Sequence, residues 1–439
     1  MTTTIFYGGV EVTSESFEVS IRRGRQRGLG EFEAASGTVK LRNLSRNFDP
    51  PFFTTPSFLL LENGDFILLE SGDQILLEQG SSYAGAYGAM VLGGELEVKD
   101  GAVTVFKGHV EDIDYRWDLG GYAEATIVVG DGLNTLARTS IGSEWVTTGN
   151  QLPGVRLAAL LDRTDVAYPT GATYRSLANG HSRLLGDTVN AGTNALQYAQ
   201  LVSRSDFGRL YTNRSGVLVY KGRYDWPGES GGTYGNIAAT FSDTGANFSF
   251  SAIELEFGSE LLTFQCSTSR ITVGPTEPDF QVIEPTGPNI PEPVEQDVGI
   301  ARTATATTTP PTRLGARNLS ITGLLLRHDA ECEARSRYLV DRYSVPEGVV
   351  SGLTTILDNY GTTDRATIAA LDIDNVLALA WTPTGTGTSV SQSLAVEGVT
   401  YQAATNRATT MTWQLSEMPS TNWFKLDTNA LDAGVPLGF

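Results

Sequence analysis

Apolar and polar residues alternate with period two near both ends of the chain. Val10-Glu11-Val12-Thr13, Phe17-Glu18-Val19-Ser20-Ile21 and Gly37-Thr38-Val39-Lys40-Leu41 turn every second side chain to one face. That is the pattern of a strand lying half-buried on a core. Glu95-Leu96-Glu97-Val98-Lys99 and Ala102-Val103-Thr104-Val105-Phe106 flank Asp100-Gly101, a strong hairpin signal, and Ala123 to Val129 alternates again. Residues 1–140 therefore read as a small antiparallel barrel or sandwich. Phe248-Ser249-Phe250-Ser251, Ile253 to Phe257, Val376 to Leu379 and Met411 to Leu415 predict a second β block.

The period changes in the middle. Leu152-Pro153 opens an apolar run to Leu161, a helix with proline near its start. Thr193 to Val202 predicts another, with Thr193 as N-cap and Leu196, Ala199 and Val202 as its buried stripe. Arg209 to Thr212 and Val217 to Tyr220 flank a turn at Asn213-Arg214-Ser215-Gly216 and predict a hairpin. Residues 141–235 thus read as a small α+β domain. Arg327 to Tyr343 predicts a helix with Asp329, Glu331 and Glu333 early and Arg335, Arg337 and Arg342 late, which suits the macrodipole. Residues 236–273 and 316–416 are assigned to the second β block, which carries this helix.

Two stretches break the pattern. Residues 57–80 repeat at period eight, with Leu60-Leu61-Glu62, Leu68-Leu69-Glu70 and Leu76-Leu77-Glu78 at the head of each copy. This predicts leucine-bearing hairpins projecting from the first barrel. Exposed double leucines mark interaction surfaces, so Leu60, Leu61, Leu68, Leu69, Leu76, Leu77 and the intervening Phe66 are interface candidates. Residues 274–315 concentrate proline, including Pro275, Pro278, Pro310 and Pro311, and read as an extended excursion. Residues 417–439 hold Trp423, Phe424 and Phe439 among polar residues, a docking tail with three further interface candidates.

Composition narrows the class. The 439 residues correspond to two to four domains, and 40% are hydrophobic. With 31 basic and 50 acidic residues the formal net charge is -19, which disfavours a nucleic-acid binder or a polybasic membrane anchor. No transmembrane run or signal peptide is read. Cys266 and Cys332 are expected to be free, buried thiols.

Catalytic signals are weak. His109, His181 and His328 form no His-Glu-x-x-His, and no nucleophile elbow or phosphate-binding loop occurs. Gly228 to Gly235 lacks the Lys-Ser/Thr of such a loop. Glu111, Asp112 and Asp114 read as a solvated strand end. No catalytic, cofactor or metal site is predicted.

Several segments together resemble the tail-hub (baseplate-hub) minor tail proteins of long-tailed bacteriophages. They are Ile21-Arg22-Arg23-Gly24-Arg25, Gly37 to Asn43, Asn47-Phe48-Asp49-Pro50, Phe106 to Asp112 and Asp131 to Ala137. Asn194 to Gln197, Ser205 to Tyr211, Gly216 to Arg223, Leu371 to Val376 and Val396 to Val399 continue the series in order. The 57–80 repeat and the proline excursion lie outside the common pattern. The resemblance implies two related β-barrels plus α+β pieces, and a homotrimer whose six barrels adapt a sixfold tail tube to a threefold tip. It implies a ring around the DNA channel, with genomic DNA as passing cargo. Its implied partners are a distal tail protein, a tape-measure protein and a receptor-binding fibre or tip protein, in a virion assembled in the host cytoplasm. Two alternatives are a tail-tip hydrolase, which needs a catalytic domain not expected after residue 416, and a carbohydrate-binding adhesin using Trp117, Trp145, Trp226, Trp381, Trp413 and Trp423.

Overall fold

The computed structural model describes residues 3–26, 30–45, 47–48, 91–225, 237–245, 247–257, 263–271, 302–305, 317–344, 348–383, 385 and 387–418. The protein is mainly β. Five α-helices are present among the described residues: α1 (Gly132–Arg138), α2 (Pro153–Leu161), α3 (Ala195–Ser205), α4 (Asp329–Tyr343) and α5 (Thr362–Ala369).

The alternating segments form strands as their pattern requires. In Glu33–Arg42 the buried positions include Val39 and Leu41; in Ala123–Gly130 they include Ala125, Ile127 and Val129. Asp100 ends Glu95–Asp100, Gly101 turns at φ 58°, and Val103–Trp117 returns antiparallel. These strands belong to a 13-stranded sheet. Its N-terminal half runs Ser16–Gly24, Glu33–Arg42, Ala123–Gly130, Val103–Trp117, Glu95–Asp100, Thr3–Tyr7 and Val10–Glu11. Its C-terminal half runs Val390–Ala404, Arg407–Glu417, Val349–Ile356 and Ala252–Glu256, with Val376–Trp381 and Ile237–Ser242 branching from Val390–Ala404.

The two halves are hydrogen-bonded to each other. The 15-residue strand Val390–Ala404 pairs with Arg407–Glu417 along one edge. Its other edge is divided: Val390 to Ala395 pairs with Val376–Trp381, and Gly398 to Ala404 pairs with Ser16–Gly24. One long strand is thus common to both β blocks, which the sequence had separated. One large apolar core follows, running from Ile5 and Val39 through Leu157 and Tyr198 to Leu377 and Trp413, with smaller clusters beside it, as around Cys266, Leu339 and Val340.

Other expectations are corrected. Strands Gln265–Arg270, Arg302–Thr305 and Asn318–Leu324 form their own sheet, against which α4 packs, and do not join the large one. Arg302–Thr305 gives the proline-rich excursion one paired strand. Helix α3 is capped by Asn194, whose side chain accepts from the Gln197 backbone N–H, and not by Thr193. The cap lies one residue later than read, so Ala195 and Tyr198 join Ala199 and Val202 in the buried stripe, and Leu196 is only partly buried. Helix α5 interrupts a region read as strands, and α1 starts at Asp131, which caps the Leu133 and Asn134 N–H groups. Cys266 and Cys332 are free and buried.

A candidate functional site: the ionic seam between the β blocks

Strand Ser16–Gly24 crosses Val390–Ala404 where two glycines meet. Gly24 sits at φ 95°, and a Cβ there would lie 2.3 Å from the Glu397 carbonyl oxygen and 2.5 Å from Gly398 Cα. A Cβ on Gly398 would lie 2.8 Å from the Arg25 carbonyl oxygen. Only glycine permits both the backbone angle and this approach.

The crossing sets the side chains. Between Val396 and Gly398 the pairing with Arg407–Glu417 slips, so Glu397 is the bulge residue at the point where Val390–Ala404 changes neighbours. Bulges re-aim side chains, and this one buries the Glu397 carboxylate completely. Arg25 Nε donates to Glu397 Oε2 at 2.8 Å, Ser416 Oγ donates to Oε1 at 2.6 Å, and Arg209 Nη2 lies 3.6 Å from Oε1. Burial alone would raise the Glu397 carboxyl. Arg209 and Arg25 outweigh it and hold the carboxyl down at about 2.

A second layer lies beside the first. Arg23 Nη1 reaches Asp372 Oδ1 at 2.9 Å, and the Arg214 backbone N–H donates to Asp372 Oδ2 at 2.8 Å. In the hairpin Arg209–Thr212/Leu218–Lys221, Arg209 and Lys221 are cross-strand partners. The first meets Glu397 and the second pairs with Asp374. Asp374 has φ 78°, and its Oδ1 has no hydrogen-bond partner. Burial pushes its carboxyl up to about 6 against the pull of Lys221, whose side chain keeps 35% of its exposure.

An acid whose folded value lies above its ordinary 3.8 loses stability as pH rises between about 4 and about 6. Asp374→Asn is therefore expected to gain on the wild type across that window. The check is a difference in melting temperature that grows from pH 4 to pH 7; a constant difference would contradict it.

A third contact ties the first hairpin to α5. Arg365 grips Asp100 with Nε at 2.6 Å and Nη2 at 2.7 Å, and Tyr401 donates to Asp100 at 2.8 Å. Asp100, read from sequence as a turn residue, is buried and ion-paired.

The seam therefore gathers Arg23, Arg25, Arg209, Lys221, Asp372, Asp374 and Glu397, each within a segment that carries the sequence resemblance. The order of those segments was legible, but not the pairing of their charges. Alternation could not reveal Glu397, which occupies a bulge.

Elsewhere Glu111 pairs with Arg138 and lies 2.7 Å from His109 Nε2, while Asp112 and Asp114 are exposed. Among the described residues no group of three or more His, Cys, Asp or Glu is placed to hold a metal. No described helix is long and apolar enough to cross a membrane. The interface candidates Leu60, Leu61, Phe66, Leu68, Leu69, Leu76, Leu77, Trp423, Phe424 and Phe439 lie outside the described residues.

The seam joins framework elements and presents no nucleophile–base pair; it is architecture suited to holding β blocks rigidly. No family model and no curated protein matches the chain by sequence. By fold the chain is similar to the tail protein from Neisseria meningitidis MC58, at 11% identity and a TM-score of 0.58, over 94% of this chain and 96% of that one. It is also similar to the 43 kDa tail protein of prophage MuSo2 from Shewanella oneidensis, at 11% identity and a TM-score of 0.53, over 95% and 99%. The resemblance to phage tail proteins carried by the motifs is thus present in the fold as a whole.

Proposed function

We propose that this chain is a structural component of a phage virion tail: a trimeric hub ring at the tail tip, surrounding the DNA channel and joining a sixfold tube to a threefold tip. The observation that supports this is the fold match over nearly the full length of two tail proteins. The seam suits the role, because a ring under load needs its β blocks fixed to one another. On this reading the distal tail protein, the tape-measure protein and a receptor-binding fibre or tip protein are its neighbours. The leucine repeat at 57–80, the excursion at 274–315 and the tail at 417–439 are its contact segments. The acidic excess then keeps passing DNA from adhering to the channel wall.

Light scattering on the concentrated protein is expected to give three times the 47.1 kDa of one chain. A monomeric mass would refute the ring. Deleting 57–80 is expected to abolish tail assembly while the remaining chain stays folded; normal assembly would remove that segment from the interface.

A non-enzymatic role predicts no clearing of host cell walls in a turbidity assay. One observation favours the adhesin reading. At the tip of the hairpin formed by Val103–Trp117 and Ala123–Gly130, Trp117 is 49% exposed and stacks on Tyr115 at 5.5 Å, beside the exposed Leu119. Trp381 and Trp413, by contrast, are core residues. Specific binding on a glycan array, lost in Trp117→Ala, would establish a sugar-binding surface.

A further inference from the structure

Two arginines with under 2% of their surface exposed are bound in opposite ways. Arg156, in α2, has an acceptor for every nitrogen. Nε donates to Gln151, Nη1 to Asp187 and Tyr198, and Nη2 to the Thr148 and Leu185 carbonyls, at 2.6 to 3.0 Å. Arg335, in α4, is 1% exposed, yet only Nη2 has an acceptor, Ser182 Oγ at 2.6 Å. Its Nε and Nη1 donate to nothing, and it makes no ion pair. The Phe207 ring, centred 4.8 Å from its guanidinium carbon, covers one face.

Asp206 and Glu331 act on it electrostatically but accept from none of its N–H groups. Asp206 is fully buried, and its carboxylate already accepts from the Ser182 N–H at 2.8 Å, the Tyr220 hydroxyl at 2.8 Å and the His181 N–H at 3.3 Å. Glu331 stands one turn earlier on α4, and its Oε2 also lacks a hydrogen-bond partner. Burial raises the Glu331 carboxyl toward its neutral form, against Arg335, His328 and Arg223. Burial, and then the like charge of Arg223, lower Arg335 to about 10. Buried N–H donors left without acceptors are destabilising, and Arg223 adds like charge to the site. Water would satisfy the N–H groups; an anion would also offset the like charges of Arg335 and Arg223.

We propose that the unsatisfied N–H groups of Arg335, with Arg223 beside them, bind one small oxyanion at the joint between α4, the 180–182 loop and the turn Arg223–Asp225. The recognised chemistry is a compact anion with oxygen acceptors, such as orthophosphate, sulfate or a carboxylate. It is independent of the role in the tail. Its consequence is mechanical: the anion pins the α4 unit to the α+β insert.

The test uses the full chain in chloride buffer of constant ionic strength. Added orthophosphate is expected to raise the melting temperature by several degrees at about 100 times its dissociation constant. Equilibrium dialysis is expected to find one phosphate per chain. Arg335→Met should abolish both effects. Arg337→Met, at an exposed residue on the same helix paired with Glu333, should leave both intact. Should Arg335→Met fail to fold, Arg335→Lys keeps the charge with fewer donors and should weaken binding at least tenfold. Glu331→Gln removes a competing acid and should tighten binding. Sulfate and acetate arms separate tetrahedral anions from carboxylates. No response in the wild type, or an equal one in Arg335→Met and Arg335→Lys, would overturn the proposal; the first result means an ordered water or an adventitious ion only. A collapse of stability in Glu331→Gln with no phosphate binding would overturn it in favour of Glu331 as the counterion.

Discussion

Glu397→Gln is expected to lower the melting temperature by about 3–5 °C, following a loss of about 3–5 kcal/mol when one partner leaves a buried ion pair. The amide oxygen can still accept from Ser416 Oγ, but the NH2 replaces the oxygen that accepts from Arg25 Nε, so the variant removes both the charge and that hydrogen bond. Arg25 keeps 10% and Arg209 18% of its side-chain exposure, so neither regains full hydration when the carboxylate is removed. Replacing Glu397, Arg25 and Arg209 together by methionine should recover most of the stability, since an apolar cluster of similar volume often matches a buried ionic one. If the triple variant is no better than Glu397→Gln, the seam acts by geometry and not by charge balance.

Acid supplies a second reading of the same group. Glu397 is held at about 2, below its ordinary 4.5, so its stabilisation is complete above pH 4.5 and fades as pH falls toward 2. The wild type should therefore lose its advantage over Glu397→Gln across that window. A gap that stays constant from pH 5 to pH 2.5 would contradict the assignment.

Gly24→Ala carries the other large effect. The new methyl carbon would sit 2.3 Å from a carbonyl oxygen and 2.5 Å from a Cα, both backbone atoms that cannot rotate away, at φ 95°. Either strand must move, and moving it separates Arg25 from Glu397. The cost is expected to exceed about 4 kcal/mol, in the exceptional range for a single substitution. It should appear as a large drop in melting temperature or as insoluble protein. Gly120→Ala, where a Cβ meets nothing within 4 Å, should change stability by no more than about 0.5 kcal/mol. Equal effects of the two substitutions would mean that the crossing tolerates separation.

Much of the local structure was legible, for a definite reason. Alternation in Gly37 to Leu41 and the Asp100-Gly101 turn are consequences of backbone geometry over a few residues. So is the helix at Pro153–Leu161. Errors arose where neighbouring residues compete for one role, as Thr193 and Asn194 did for the α3 cap. They also arose where a helix is short and weakly amphipathic, as α5 is. Arg365 shows the limit: its position in α5 says nothing of Asp100, with which it pairs across 265 residues of sequence.

By itself the sequence determined a mainly β chain with an α+β insert, the order of its segments and the likeness of those segments to tail proteins. Only the tertiary structure decided that one strand serves both β blocks, that Glu397 is turned inward by a bulge, and which cations meet it. Period and turn chemistry are set by adjacent residues, whereas charge pairing is set by burial. Burial brings together residues that lie 372 positions apart, as Arg25 and Glu397 do.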